Sequence, residues 1–105
     1  KFRNNGHMVY DWFEWRRDGK GIAKIHPTQK PVCLLKRLIS IFTDPGDVVI
    51  DPCAGSGSTL RAAFETGRPS YGFEIDKNFY RAAQKEMLEP ARAASAQITL
   101  DEVII

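Results

Sequence analysis

Apolar positions along the chain follow two different periods, and the switches between them mark out the elements. Leu35, Leu38, Ile39 and Phe42 recur at helical spacing with Leu34 beside them, so a helix with one buried face is predicted from Pro31 onward. Pro31 suits its first turn, where a missing N–H costs nothing. Asp44-Pro45-Gly46-Asp47 is a strong turn signal. Val48-Val49-Ile50 is a short continuous apolar run, as in a strand buried on both faces. Leu60, Ala63 and Phe64 return to helical spacing, and Gly67 stands where a C-terminal cap is needed. Residues 70–74 read as a second strand. Asp76 can cap a third helix with Phe79, Ala83 and Met87 inward, and Pro90 is expected to end it. Upstream, residues 7–15 (HMVYDWFEW) read as a strand and Asp18-Gly19-Lys20-Gly21 as a turn. Downstream, Ile98-Thr99-Leu100 fits a strand or a docked extension.

The order helix, strand, glycine-rich turn, helix, strand, acidic end, helix is half of an open α/β sheet. Two parallel strands are too few to complete such a domain. Ligands of these sheets bind beyond the carboxyl ends of the strands. Both chemically suggestive segments fall there: residues 51–59 (DPCAGSGST) and Glu74. Gly55 and Gly57 remove side chains where a ligand approaches backbone. The helix starting near Ser58 offers free N–H groups and a positive dipole end. Glu74, nineteen positions after Gly55, can accept from both hydroxyls of a ribose. A dinucleotide fingerprint needs a third glycine where Leu60 stands, and no GKS or GKT supplies a phosphate loop. A glycine-rich turn preceded by Asp51 suits a ligand with a cationic end, and S-adenosylmethionine has that character. The alternative on pattern alone is a tight strand-to-helix turn without a ligand.

Composition narrows the class. The 105 residues make one small domain, and 43% hydrophobic content can build a core. No apolar run approaches the length of a membrane span, and no signal-peptide pattern opens the chain. Cys33 and Cys53 have no metal spacing and form no disulfide framework, which points to reduced thiols and a cytoplasmic setting. The net charge of +2 is uneven. Residues 1–37 hold nine Lys and Arg against three Asp and Glu, and residues 38–105 hold six against ten. A basic half can face a polyanion or be an ordinary solvated face.

Residues 26–31 (HPTQKP), 49–59 (VIDPCAGSGST) and 72–76 (GFEID), in this order, resemble the DNA N6-adenine and N4-cytosine methyltransferases. The likeness is to the circularly permuted (beta-class) subgroup, whose cofactor motifs follow the catalytic one. It covers roughly residues 22–89. The sequence departs from the usual pattern at Cys53, where Phe is common, and at Ser58, where Thr is common. The resemblance implies a partial Rossmann-like methyltransferase fold, mostly parallel sheet with flanking helices, and S-adenosylmethionine as cofactor. It implies cofactor contacts from Thr28, Lys30, Pro31, Asp51, Pro52, Cys53, Gly55, Ser56, Gly57, Thr59, Glu74 and Ile75. Asp51 and the Gly55–Gly57 backbone would line the methionine part, with Thr28 and Lys30 near its carboxylate. Glu74 would hold the ribose, and Ile75 would pack on the adenine, with Phe73 supporting the strand.

Each of these has a plainer alternative. Lys30 can be a solvated charge, Asp51 a turn cap and Ile75 ordinary core. His26, with no ligand partner in sequence, reads as structural, and no metal site is expected. A nucleophilic role for Cys53 is disfavoured by its place inside the turn. Trp12, Phe13 and Trp15 can stack on bases but more often form strand core.

The family's catalytic motif is Asp, Asn or Ser, then Pro-Pro and an aromatic. It is absent: the prolines at 27, 31, 45, 52, 69 and 90 are all isolated. The expectation is therefore an S-adenosylmethionine-dependent DNA amino-methyltransferase, adenine N6 first, from a restriction–modification setting. No catalytic residue lies in this chain, and double-stranded DNA is met mainly through segments preceding Lys1. Residues 1–21 would end the recognition region, 22–90 form the cofactor half and 91–105 extend it. Such a half would be inactive alone and, with an open sheet edge, could form homo-oligomers. The alternatives are a non-catalytic binding module, an N4-cytosine enzyme or an RNA methyltransferase.

Overall fold

The computed structural model describes residues 16–94 and 102–104. The strand predicted at 7–15, with His7 and the Trp12, Phe13, Trp15 cluster, lies outside the described residues, as does Ile98-Thr99-Leu100. Three short strands form one parallel sheet, in the order β1 (Val49–Asp51), β2 (Ser70–Gly72) and β3 (Glu102–Ile104). Asp51 lies opposite Gly72, and Gly72 opposite Ile104. Beyond the paired residues, Phe73 N–H donates to Asp51 O (3.0 Å) and Ala54 N–H to Phe73 O (2.9 Å). The predicted second strand therefore keeps hydrogen bonds past Gly72, although only 70–72 is regular strand.

Helix α1 (Val32–Phe42) lies mainly against α2 (Ser58–Glu65), which covers β1 and β2. Pro31 is not in the first turn of α1. It is the N-cap, extended at φ −62° and ψ 134°. The orphan N–H groups are met from a distance: Val32 N–H donates to Asp18 Oδ1 (2.8 Å) and Oδ2 (3.0 Å), and Cys33 N–H to Oδ1 (3.4 Å). Val32 and Ile39 are buried in the main core with Leu35 packed against it, but Phe42 is 44% exposed and Ile41 is buried instead. Phe42 is the last helical residue, beyond the stretch that reaches the core.

The turn at 44–47 closes with Asp47 N–H to Asp44 O (3.0 Å), and Gly46 takes φ 89° at its third position. Helix α2 ends as predicted at Gly67 (φ 77°): Gly67 N–H donates to Phe64 O and Arg68 N–H to Ala63 O. Arg68 then reaches back, with Nε donating to Thr43 Oγ1 (2.9 Å) and Nη2 to Thr43 O (2.9 Å). This buried guanidinium ties the end of α1 to the loop before β2.

Asp76 caps α3 (Lys77–Ala82), its Oδ1 accepting from Asn78 and Phe79 N–H. Pro90 does not end the helix. The chain passes into a π-helical segment (Ala83–Leu88) and then α4 (Glu89–Ala94). Glu89 N–H donates to Gln84 O, five residues back, and Pro90 falls in the first turn of α4. The wide turn re-registers the ladder where proline has no N–H to give.

Leu60, Ala62, Ala63, Ala83 and Met87 are fully buried at the centre. The tightest contact there is Leu60 on β2: a Cβ at Gly72 would stand 2.6 Å from Leu60 Cδ1 and 3.1 Å from Ala54 Cβ. The opposite sheet face departs from the sequence expectation. Val48 is 54% exposed and Ile50 63%, with Tyr71 and Phe73 also exposed. Residues alternate between faces along a strand, and among the described residues the helices that pack on the sheet cover only the Val49, Ser70 and Gly72 side.

Gly72→Ala is expected to lower the unfolding free energy by about 1–3 kcal/mol through overpacking. Ser70 lies one pleat away, its buried hydroxyl without a hydrogen-bond partner among the described residues. Ser70→Ala is therefore expected to be neutral or slightly stabilising. Denaturant unfolding of the two variants beside the parent checks both. Partial burial alone would raise the Glu65 carboxyl, but hydrogen bonds and charge from Arg61 and Lys36 outweigh it and hold it below 4.5. A depressed carboxylate stabilises above its unfolded value and loses that contribution as pH falls. The stability gap between parent and Glu65→Gln should accordingly be present at neutral pH and shrink as pH drops below 4.5.

Candidate functional site

The turn joining β1 to α2 lies at the carboxyl end of the sheet, and three features set its path. Gly55 takes φ 55° and Gly57 φ 81°, both left-handed. Gly57 N–H donates to Ala54 O (2.8 Å). Asp51 Oδ1 accepts from Cys53 N–H (3.0 Å), so Asp51 does cap the turn while also lining the cleft beside it.

Glu74 ties this turn to the end of β2. Its Oε1 accepts from Gly55 N–H (2.8 Å) and its Oε2 from Asp76 N–H (2.8 Å). A carboxylate has about four acceptor positions, so both oxygens keep capacity for further donors. Ile75, next in sequence, is 97% exposed. That removes the reading of Ile75 as ordinary core.

A cleft of about 450 Å³ opens beside the turn. Thr28, Lys30, Asp51, Cys53, Gly55, Ser56 and Thr59 line it, joining the hexapeptide at 26–31 to the glycine-rich turn. A second hollow of about 510 Å³ is lined by Pro52, Cys53, Phe73, Glu74 and Ile75. Cys53 lines both, so the two form adjoining compartments. Two candidates fall outside them. Pro31 faces a third hollow with Arg17, Asp18, Ile22, Lys24 and Gln29, because its role is to turn the chain into α1. Gly57 lines none of the three; a Cβ there would stand 3.2 Å from Ala83 Cβ. Its lack of a side chain serves helix packing.

The hexapeptide is held by its own members. Gln29 Oε1 accepts from Ile25 N–H (2.8 Å) and His26 N–H (3.3 Å), and its Nε2 donates to Ala23 O (2.8 Å). His26 Nδ1 accepts from Thr28 N–H (3.2 Å) and lies 3.1 Å from Thr28 Oγ1. The ring centroid lies 4.6 Å from that of Phe79. His26 is thus a structural residue that also forms cleft wall.

Sequence reasoning missed Gln29, Leu35, Ile50, Ala54 and Ser58 as lining residues. Ile50 carried a usable signal: strand alternation sets it opposite Val49, next to Asp51. Ser58 forms a buried pair with Ser56, their hydroxyl oxygens 2.8 Å apart. Asp18 as the cap of α1 had no local signal, because it lies fourteen residues from Val32.

The sequence profile of a family described as DNA methylase, the N6 and N4 methyltransferases, matches residues 3–85. The chain belongs to this DNA methylase family. YubD of Escherichia coli (strain K12), provisionally named a methylase, is 42% identical over 83 residues, which are 79% of this chain and 35% of YubD. The DNA adenine methyltransferase YhdJ of the same strain is 44% identical over 62 residues, 59% of this chain and 21% of that protein. The chain thus spans about a third or less of the curated relatives it matches. Among solved structures, the M1.HpyAVI–SAM complex aligns with a TM-score of 0.69 and 34% identity. The alignment covers 83% of this chain and 43% of that one. The fold is accordingly the partial Rossmann-like methyltransferase fold expected for a DNA methylase with this cofactor class. No helix among the described residues is long and apolar enough to cross a membrane.

Removing the Glu74 carboxylate should loosen the turn before any ligand is considered. In Glu74→Ala, amide hydrogen exchange at Gly55 and Asp76 is expected to speed up by about 10–100-fold, the worth of a hydrogen bond to a charged acceptor. Unchanged protection at both amides would show that the tie is not formed in solution.

Proposed function

We propose that this chain binds S-adenosylmethionine in the two adjoining compartments, as the cofactor part of a DNA amino-methyltransferase acting on adenine N6. The observation that carries the reading is the end of β2. A half-buried carboxylate, Glu74, is fixed by two backbone N–H groups with acceptor capacity left over, and an almost fully exposed aliphatic side chain stands beside it. A ribose with two adjacent hydroxyls and an apolar purine match that pair. Ile75 gains by covering the ring what it lacks in the free chain. Asp51 and the backbone at 55–56 face the neighbouring compartment, which suits the ammonium of the methionine part. Thr28 and Lys30 enter the same compartment, and Lys30 is placed for a charge-assisted bond to a carboxylate.

Two comparisons support this. A relative solved with SAM aligns over most of the chain. A relative named as an adenine methyltransferase shares 44% identity across the matched region. When bound, the cofactor would supply an electrophilic methyl group to the exocyclic amine of the base. The residues of this chain would orient it: Glu74 and Ile75 at the nucleoside, Lys30 and Asp51 at the amino-acid end, and Pro52, Cys53, Ser56 and Thr59 along the walls. Residues 22–90 form this cofactor half. The amine itself needs polar acceptors and a stacking aromatic, and the sequence has no Pro-Pro motif to provide them. Methyl transfer by this chain alone is therefore not expected.

Calorimetric titration of S-adenosylmethionine tests the site. Glu74→Gln keeps one acceptor for Gly55 but loses the charge, and should weaken binding by about 10–100-fold. Ile75→Ala should weaken it several-fold with no change in unfolding midpoint. Equal affinity for parent and Glu74→Gln would sink the ribose assignment. Labelled methyl groups in adenine-containing DNA above background would overturn the statement that this chain is inactive alone.

A further inference from the structure

Residues 16–30 carry Arg16, Arg17, Lys20, Lys24 and Lys30 against a single acid, Asp18. Lys30 belongs to the cofactor cleft. Asp18 offsets at most one of the other four charges, and both its oxygens are turned to the first N–H groups of α1 rather than to a cation. Arg16, Arg17, Lys20 and Lys24 are exposed, and no ion pair among the described residues engages them. The loop that carries them is held at both ends: Asp18 anchors one to α1, and Gln29 anchors the other to Ala23, Ile25 and His26.

The place matters as much as the sign. Arg17 and Lys24 line a hollow of about 250 Å³ with Ile22 and Pro31. Gln29 lines both this hollow and the cofactor cleft. One side chain, fixed by three hydrogen bonds, is the shared wall. Residues 38–105, by contrast, hold ten acids against six bases. A polyanion drawn to this chain is therefore drawn to the rim of the cleft.

We infer that Arg16, Arg17, Lys20 and Lys24 form a phosphate-gripping rim that holds a DNA duplex backbone beside the cofactor cleft, independent of base sequence. This rests on the proposed function, which puts the cofactor on the other side of Gln29. Duplex DNA is favoured over an acidic protein surface because, among the described residues, none of the large exposed hydrophobic side chains lies within residues 16–30 to form the apolar centre of a protein interface. Duplex DNA also carries one charge per about 1.7 Å of axis, against roughly 3.3–3.6 Å per residue for an extended acidic chain. The rim positions DNA and takes no part in the chemistry.

The test is fluorescence anisotropy of the full chain with a random-sequence DNA duplex over graded salt. The variants are Arg17→Gln/Lys24→Gln and the control Lys77→Gln/Lys85→Gln, all at exposed positions. Each lost phosphate contact lowers the salt slope by about 0.9, so the first double variant should lose about 1.8. Its affinity deficit should then shrink by roughly tenfold between 50 and 200 mM salt. The control should keep the parental slope, and poly-glutamate should compete poorly at matched charge. S-adenosylmethionine affinity should be the same in all three proteins. No duplex binding at the lowest salt, an equal slope in both double variants, or poly-glutamate competing as well as DNA would each overturn the rim. A parent chain that binds DNA with the expected slopes but not S-adenosylmethionine would overturn the cofactor reading and leave the cation–phosphate contacts standing.

Discussion

Leu60 can lie flat on β2 only because Gly72 has no side chain, and the site is built outward from that contact. A Cβ at Gly72 would overlap Leu60 and crowd Ala54, so helix and strand would have to part. Their close approach sets the depth of α2 and thereby the height of the turn that enters it. Gly57, at the start of α2, meets Ala83 and passes the same constraint to the π-helical segment. Glu74 follows Gly72 by two residues and reaches back to Gly55. Three glycines thus hold three elements at fixed distances: one by packing on Leu60, one by packing on Ala83, and one by offering its N–H.

The turn, the cap at Gly67 and the cap at Asp76 were legible because each depends on one residue type in one backbone state. Glycine at positive φ and a carboxylate two or three residues before free N–H groups are local requirements. The failures were non-local. Pro90 reads as a helix end, yet a π turn five residues wide absorbs its missing donor. Pro31 reads as a first-turn residue, but Asp18, far back in the chain, serves as the cap. Val48 and Ile50 read as doubly buried because an unbroken apolar run says how the strand prefers to be covered, not how much cover the described chain supplies. Within the candidate site, Pro31 and Gly57 belong to the motifs but not to the cleft. Motif membership marks what the local structure needs as well as what a ligand touches.

The site is rigid in a specific sense. Gln29 closes the hexapeptide on itself, Asp51 closes the turn, and Glu74 closes the turn on the strand. Each bond lies within the protein and exists before a ligand arrives. A ligand entering there need not order the loops it touches, which removes part of the usual entropic cost of binding. Ile75 is the exception in kind: it is held by backbone alone and stands in solvent until something covers it.

The sheet face left uncovered by the described residues has a consequence for what stability means here. Val48, Ile50, Tyr71 and Phe73 present one apolar surface opposite the helices. A separate molecule that settles on that surface binds the folded form and not the unfolded one. The folding free energy then acquires a term that grows with the logarithm of that molecule's concentration. A melting temperature measured in the presence of such a molecule is therefore a property of the solution as well as of the chain.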